Sequence, residues 1–156
     1  MNKESFLQAI RSTCVYNGDR EPIFLYWYPL ADVKDNIPVV AYNLDAIYSR
    51  GDVAQLEKVL TECSIHNVIS VQNQDSKIKP EKIDLLARLY ESDSDGYNFP
   101  WYVENYYYDI TKAWLIYVSH EGTVTFAGEQ ITEIAKKTID SKYKLNQIGE
   151  RYDNRN

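Results

Sequence analysis

Apolar residues recur along this chain with two different periods, and the change from one to the other divides it. In the first dozen residues Phe6, Leu7 and Ile10 share one face of a helix that runs out near Thr13. Residues 23–28 are mostly β-branched or aromatic and end at Pro29, which cannot donate to a sheet ladder, so they read as a strand. Val39, Val40, Ala41 and Tyr42 follow Pro38 and suit a short strand, whereas Leu44, Ile47 and Tyr48 suit the start of a helix; the pattern leaves both readings open. Asp52 followed by Gln55 resembles a capping box, and Val53, Leu56, Val59, Leu60 and Cys63 then recur at helical spacing, which predicts a helix from about 52 to 64.

Val68, Ile69 and Val71 predict a brief buried strand, and residues 72–79 a polar surface loop. Pro80 suits a first helical turn, and Ile83, Leu86, Leu89 and Tyr90 follow on one apolar face, predicting a helix that ends near Glu91. Residues 92–98 read as loop. Beyond them the period becomes two: Trp101, Val103 and Tyr107 alternate with Tyr102, Glu104, Tyr106 and Tyr108. Residues 114–118 and 123–126 flank His120-Glu121-Gly122, where the glycine supplies the positive φ that a bulged hairpin needs. A last helix over residues 129–139 has Ile131, Ile134, Ala135 and Ile139 apolar, with Glu129 in its first turn and Lys136 and Lys137 in its last, matching the helix dipole. The polar tail from Asp140 is expected to fray.

Strands concentrated in the C-terminal half, with helices before and after them, predict an α+β fold rather than a doubly wound one. The expectation is one domain over residues 1–156, with a mainly antiparallel sheet, a C-terminal meander and about four flanking helices. Composition is compatible with that: 156 residues, 44% hydrophobic and 26% charged, form an ordinary folded domain. Six glycines and five prolines are too few for a collagen-like or low-complexity chain. Two cysteines, Cys14 and Cys63, point to a reducing cytoplasm rather than a disulfide framework. The first residues lack the apolar run of a signal peptide, and no stretch approaches the ~20 apolar residues of a membrane span, so neither export nor a membrane is expected.

Charge sharpens the picture by its distribution. The net charge of −6 opposes the counterion-release attraction behind nucleic-acid affinity, which excludes a general DNA or RNA binder. Residues 91–111 hold Glu91, Asp93, Asp95, Glu104 and Asp109 and no cation, interleaved with Tyr97, Phe99, Trp101, Tyr102, Tyr106, Tyr107 and Tyr108. Much of a 13% aromatic content, with fourteen tyrosines and three tryptophans, therefore shares one segment with an acidic excess. One reading packs these aromatics in a sheet and leaves the acids at its rim. The other starts from the consecutive Tyr106, Tyr107 and Tyr108, which a strand must divide between its two faces. Exposed aromatics among carboxylates form a recognition surface for a basic protein, with Asp93, Asp95, Tyr97, Trp101, Tyr102, Glu104, Tyr106, Tyr108 and Asp109 as its candidate residues. Such a partner could be a nuclease toxin, whose own site must be basic to hold phosphate.

Catalytic chemistry has thin support. His66 and His120 are the only histidines. Cys63 and His66 have the spacing of two zinc ligands but lack a second close pair, and His120-Glu121 sits at a hairpin tip, so neither metal nor cofactor is expected. No phosphate loop, GxGxxG, GxSxG or HExxH is present. The alternative function is a small-molecule or carbohydrate-binding protein, or a hydrolase, using Trp101 as a platform beside paired carboxylates. Residues 108–128 run Tyr108-Asp109-Ile110-Thr111-Lys112-Ala113-Trp114-Leu115-Ile116-Tyr117-Val118-Ser119, turn through His120-Glu121-Gly122 and return along Thr123-Val124-Thr125-Phe126-Ala127-Gly128. This hairpin before a helix resembles the C-terminal part of families of short, acidic, uncharacterised bacterial proteins, some grouped with toxin-immunity proteins. The resemblance implies a cytoplasmic bacterial interaction protein and carries over no catalytic residue.

Overall fold

The computed structural model describes residues 37–72, 81–91, 105–111, 113–119 and 122–145. Their elements are β1 (Val39–Asn43), α1 (Leu44–Ser49), α2 (Val53–Glu62), β2 (Asn67–Gln72), β3 (Glu81–Asp84), α3 (Leu85–Arg88), β4 (Asn105–Tyr108), β5 (Leu115–Val118), β6 (Thr123–Ala127) and α4 (Glu129–Thr138). A 3₁₀ turn (Ser141–Tyr143) and β7 (Lys144–Leu145) follow. The strands form one antiparallel sheet in the order β3-β2-β4-β5-β6-β1-β7. The fold is α+β, with four helices and a β4-β5-β6 meander. The expected helix before residue 14 and strand over residues 23–28 lie outside the described residues.

Strand alternation sends successive side chains to opposite faces. One face carries Val68, Tyr107, Ile116, Val118, Val124, Phe126, Val40 and Tyr42, which join Ile47, Leu56, Val59, Leu60, Leu85, Ile131 and Ala135 of the helices in a single apolar core. The registers place Tyr106, Tyr117, Thr125 and Ala41 in one row on the opposite face, and all four are buried too. Tyr106 and Tyr117 stack across the strands with ring centroids 4.5 Å apart. The middle of the sheet is thus buried on both sides.

The two readings left open near residue 40 both occur, in succession. Asn43 makes the switch: its Oδ1 accepts from the Ala46 N–H at 3.0 Å, capping α1, while the N–H groups of Leu44 and Asp45 donate to the Gly122 carbonyl at 2.8 and 3.1 Å. Gly122 itself has φ of 69°, as the hairpin requires, and the Ser119 N–H donates to the Thr123 carbonyl to close it.

One expectation is corrected. The helix read from Pro80 to Glu91 is a strand followed by a single helical turn: Val68 holds Ile83 opposite it in the sheet, and Asp84 then caps α3 by accepting from the Ala87 N–H at 3.1 Å. Beyond α4, Asp140 caps the 3₁₀ turn by accepting from the Lys142 N–H at 3.0 Å, and the chain continues into β7. Asp52 caps α2 with its backbone only, because its side chain accepts a hydrogen bond from Tyr143 Oη, while Gln55 Oε1 accepts from the Asp140 N–H at 2.9 Å. The side chains that resemble a capping box instead tie the following strap to the helix.

Candidate protein-binding surface

The acid-rich segment is mounted at both ends on described structure. At its start, Leu89 is fully buried and its carbonyl accepts a hydrogen bond from Tyr48 Oη of α1 at 2.9 Å. The next residue, Tyr90, turns outward and is 60% exposed. Its hydroxyl donates to the Glu57 carboxylate on α2, and that bond holds the phenol proton above its ordinary pKa. Glu91 follows, exposed, its N–H donating to the Arg88 carbonyl at 3.2 Å.

At the other end Tyr108 closes β4 and Asp109 makes a turn. Its Oδ1 accepts from the backbone N–H of Thr111 at 2.8 Å and from the Thr111 hydroxyl, and its Oδ2 accepts from Trp114 Nε1 at 3.2 Å. Both oxygens serve the turn, as Asp side chains in Asx turns do. Between these anchors Ile110 projects, 87% exposed. A β-branched apolar side chain so exposed gains nothing from the fold it is attached to.

The structure therefore separates the candidate residues by role. Tyr106 and Tyr108 are 1% and 6% exposed, buried on the face opposite the helices, and Tyr107 lies in the core. Strand alternation divides the three tyrosines as expected, but both faces are covered, so they pack rather than offer contact area. Asp109 is half-buried and internally bonded. Asp93, Asp95, Tyr97, Trp101, Tyr102 and Glu104 lie outside the described residues. Sequence reasoning misses Tyr90, Ile110 and Glu57: helical spacing puts the first on a helix's apolar face, and the second lies two residues past the alternating run. The spacing Asp109-Ile110-Thr111 was the available signal, since it writes a turn with an apolar residue at its tip.

The thiol of Cys63 at the end of α2 is free, and burial, with Glu62 beside it, pushes its pKa up to about 11, the opposite of an activated nucleophile. His66 is exposed and contributes its carbonyl, which accepts from the Leu85 N–H at 2.9 Å. Cys14, His120 and Glu121 lie outside the described residues. Among the described residues no three His, Cys, Asp or Glu side chains converge as a metal site would require, and no helix is long and apolar enough to cross a membrane. Comparison of the chain with protein-family models, curated proteins and solved structures finds no match.

Proposed function

We propose that this chain is a small acidic protein-binding module that engages a basic protein through a surface that includes Tyr90 and Ile110. One observation carries the reading. Among the described residues the exposed large hydrophobic side chains are Tyr90 and Ile110, and they bracket residues 91–109, which hold five acids and no base. Apolar anchors at the two ends of an acidic segment divide the work of association: the charges steer a cationic partner and the anchors supply the contact that slows its release. A cytoplasmic immunity protein that occludes the basic site of a nuclease toxin is the specific form that fits. The C-terminal hairpin-helix resemblance supports that form, as do a net charge of −6 and the free thiol of Cys63.

Isolation of the chain with its partner from the native host, followed by mass spectrometry and an affinity measurement, tests the proposal. The expected partner is basic and stoichiometric, and Ile110→Glu weakens the complex at least about tenfold, because burying an isoleucine is worth ~1.5–3 kcal/mol. A partner without net positive charge, or a complex indifferent to Ile110→Glu, rejects it.

A further inference from the structure

Two phenol–carboxylate pairs flank α2. In the first, Tyr143 Oη donates to Asp52 Oδ2, and the chain supplies its own cations: Lys142 Nζ stands 4.9 Å from the Tyr143 ring centroid and 3.7 Å from Asp52 Oδ2, and the Arg50 guanidinium lies 5.8 Å from the same centroid. One ring and one carboxylate share a positive charge between them. In the second pair, Tyr90 Oη donates to Glu57 Oε2. Among the described residues no cation stands over that ring and none pairs with Glu57. Tyr143 is buried, whereas Tyr90 faces solvent.

The chemistry of what remains exposed is one-sided. The phenol has one O–H, and Glu57 consumes it. Left for a ligand are the ring face, the phenolic oxygen and the carboxylate lone pairs, all of them acceptors. A complementary group must bring donors and positive charge and no acceptor. We infer that Tyr90 and Glu57 form a receptor for an arginine side chain of the partner, an open counterpart of the Tyr143–Asp52 pair that the chain fills from within. Arginine fits better than lysine because its planar guanidinium lies on an aromatic face while an edge N–H reaches the carboxylate. The hydrogen bond also fixes the ring, so little freedom is lost when the guanidinium stacks on it. The inference rests on the reading of this surface as a protein-binding one and names the residue type it grips.

The test uses the full chain and a blocked tetra-arginine peptide, followed by NMR of the tyrosine ring protons, with tetra-glutamate as the control. Tetra-arginine is expected to shift the Tyr90 ring resonances. Tyr90→Ala and Glu57→Gln are each expected to weaken binding about three- to tenfold, whereas Tyr143→Phe leaves it unchanged. Both substituted side chains lie away from the core, and an unchanged urea midpoint in each variant confirms that the fold persists. Tyr90 resonances that stay fixed, or an affinity unaltered by both substitutions, overturn the receptor. The two proposals fail separately. Loss of peptide binding by a chain whose partner complex still depends on Ile110 removes the receptor alone. Peptide binding that depends on Tyr90, in a chain with no basic partner, keeps the receptor and removes the function.

Discussion

Three adjacent tyrosines in β4 and one isoleucine two residues beyond them have opposite fates, and the difference predicts opposite responses to truncation. Tyr106 is buried against Tyr117, so Tyr106→Ala removes an aromatic side chain from a packed site and leaves a cavity; the expected cost is about 3–5 kcal/mol. Ile110 touches little, and Ile110→Ala should fall within about 0.5 kcal/mol of the parent in stability. Urea denaturation of both variants checks the pair, and a Tyr106→Ala variant as stable as the parent contradicts the burial. Gly128 is a third residue whose neighbours decide its identity. It joins β6 to α4 with φ of 125° and ψ of 153°, a conformation open essentially to glycine alone, and a Cβ there would stand 2.7 Å from the Ala113 carbonyl oxygen. Gly128→Ala is therefore expected to cost about 3 kcal/mol, read from the same titration. The oxygen it would meet belongs to the backbone, so no side-chain rotation relieves the contact.

The elements show where local pattern is sufficient and where pairing at a distance takes over. The strap from Asp140 to Leu145 has little apolar content, and among the described residues β7 pairs with β1 through Ala41 with Leu145 and Tyr42 with Lys144. Burial of the Tyr143 ring in the core and polar bonds to Asp52 and Gln55 hold it. Tyr143→Phe keeps the ring and its burial but removes the bond to Asp52, with an expected loss of about 1.5 kcal/mol and faster amide exchange confined to the strap and the edge of β1. Unaltered exchange there places the hold elsewhere. The same strap shows why its order was not legible in the sequence: Asp52, Gln55 and Asp140 read locally as cap and tail, and only their meeting across 85 or more residues reassigns them. The helix read over residues 80–91 failed for a related reason. Ile83, Leu86 and Leu89 satisfy helical spacing, yet Ile83 is claimed by Val68 of β2, a non-local partner that outweighs local periodicity. The hairpin was legible from its turn chemistry, and α2 and α4 from their apolar spacing, because those signals act within each segment. The candidate site was legible only as a concentration of charge, since the sequence shows that Tyr106 and Tyr107 face opposite ways but not that both faces are covered.

At the scale of the whole molecule, fourteen tyrosines in a chain of net charge −6 set a limit on the alkaline side. Burial pushes the Tyr42 phenol up to about 12 from 10.0 and raises those of Tyr108 and Tyr143, while the bond to Glu57 raises that of Tyr90. Between the unfolded and folded values the native state holds protons that the unfolded chain has released, so stability falls as pH rises. The contribution is fully present below pH 10 and is lost as pH passes through about 12 for Tyr42. Each proton released also adds a negative charge to a molecule that already repels itself, so ionisation and unfolding reinforce one another. The expected result is one cooperative transition above about pH 10, in which loss of the sheet's circular dichroism and the late part of the phenolate absorbance rise coincide. Ionisation of all the tyrosines near pH 10 with the sheet signal intact would instead place the phenols in water. Tyr42→Phe offers the sharper comparison. Tyr42 packs edge-on against Phe126 with centroids 6.2 Å apart, so the substitution keeps the ring contact and deletes the titrating hydroxyl. The transition should move to higher pH in that variant while the neutral-pH stability changes little.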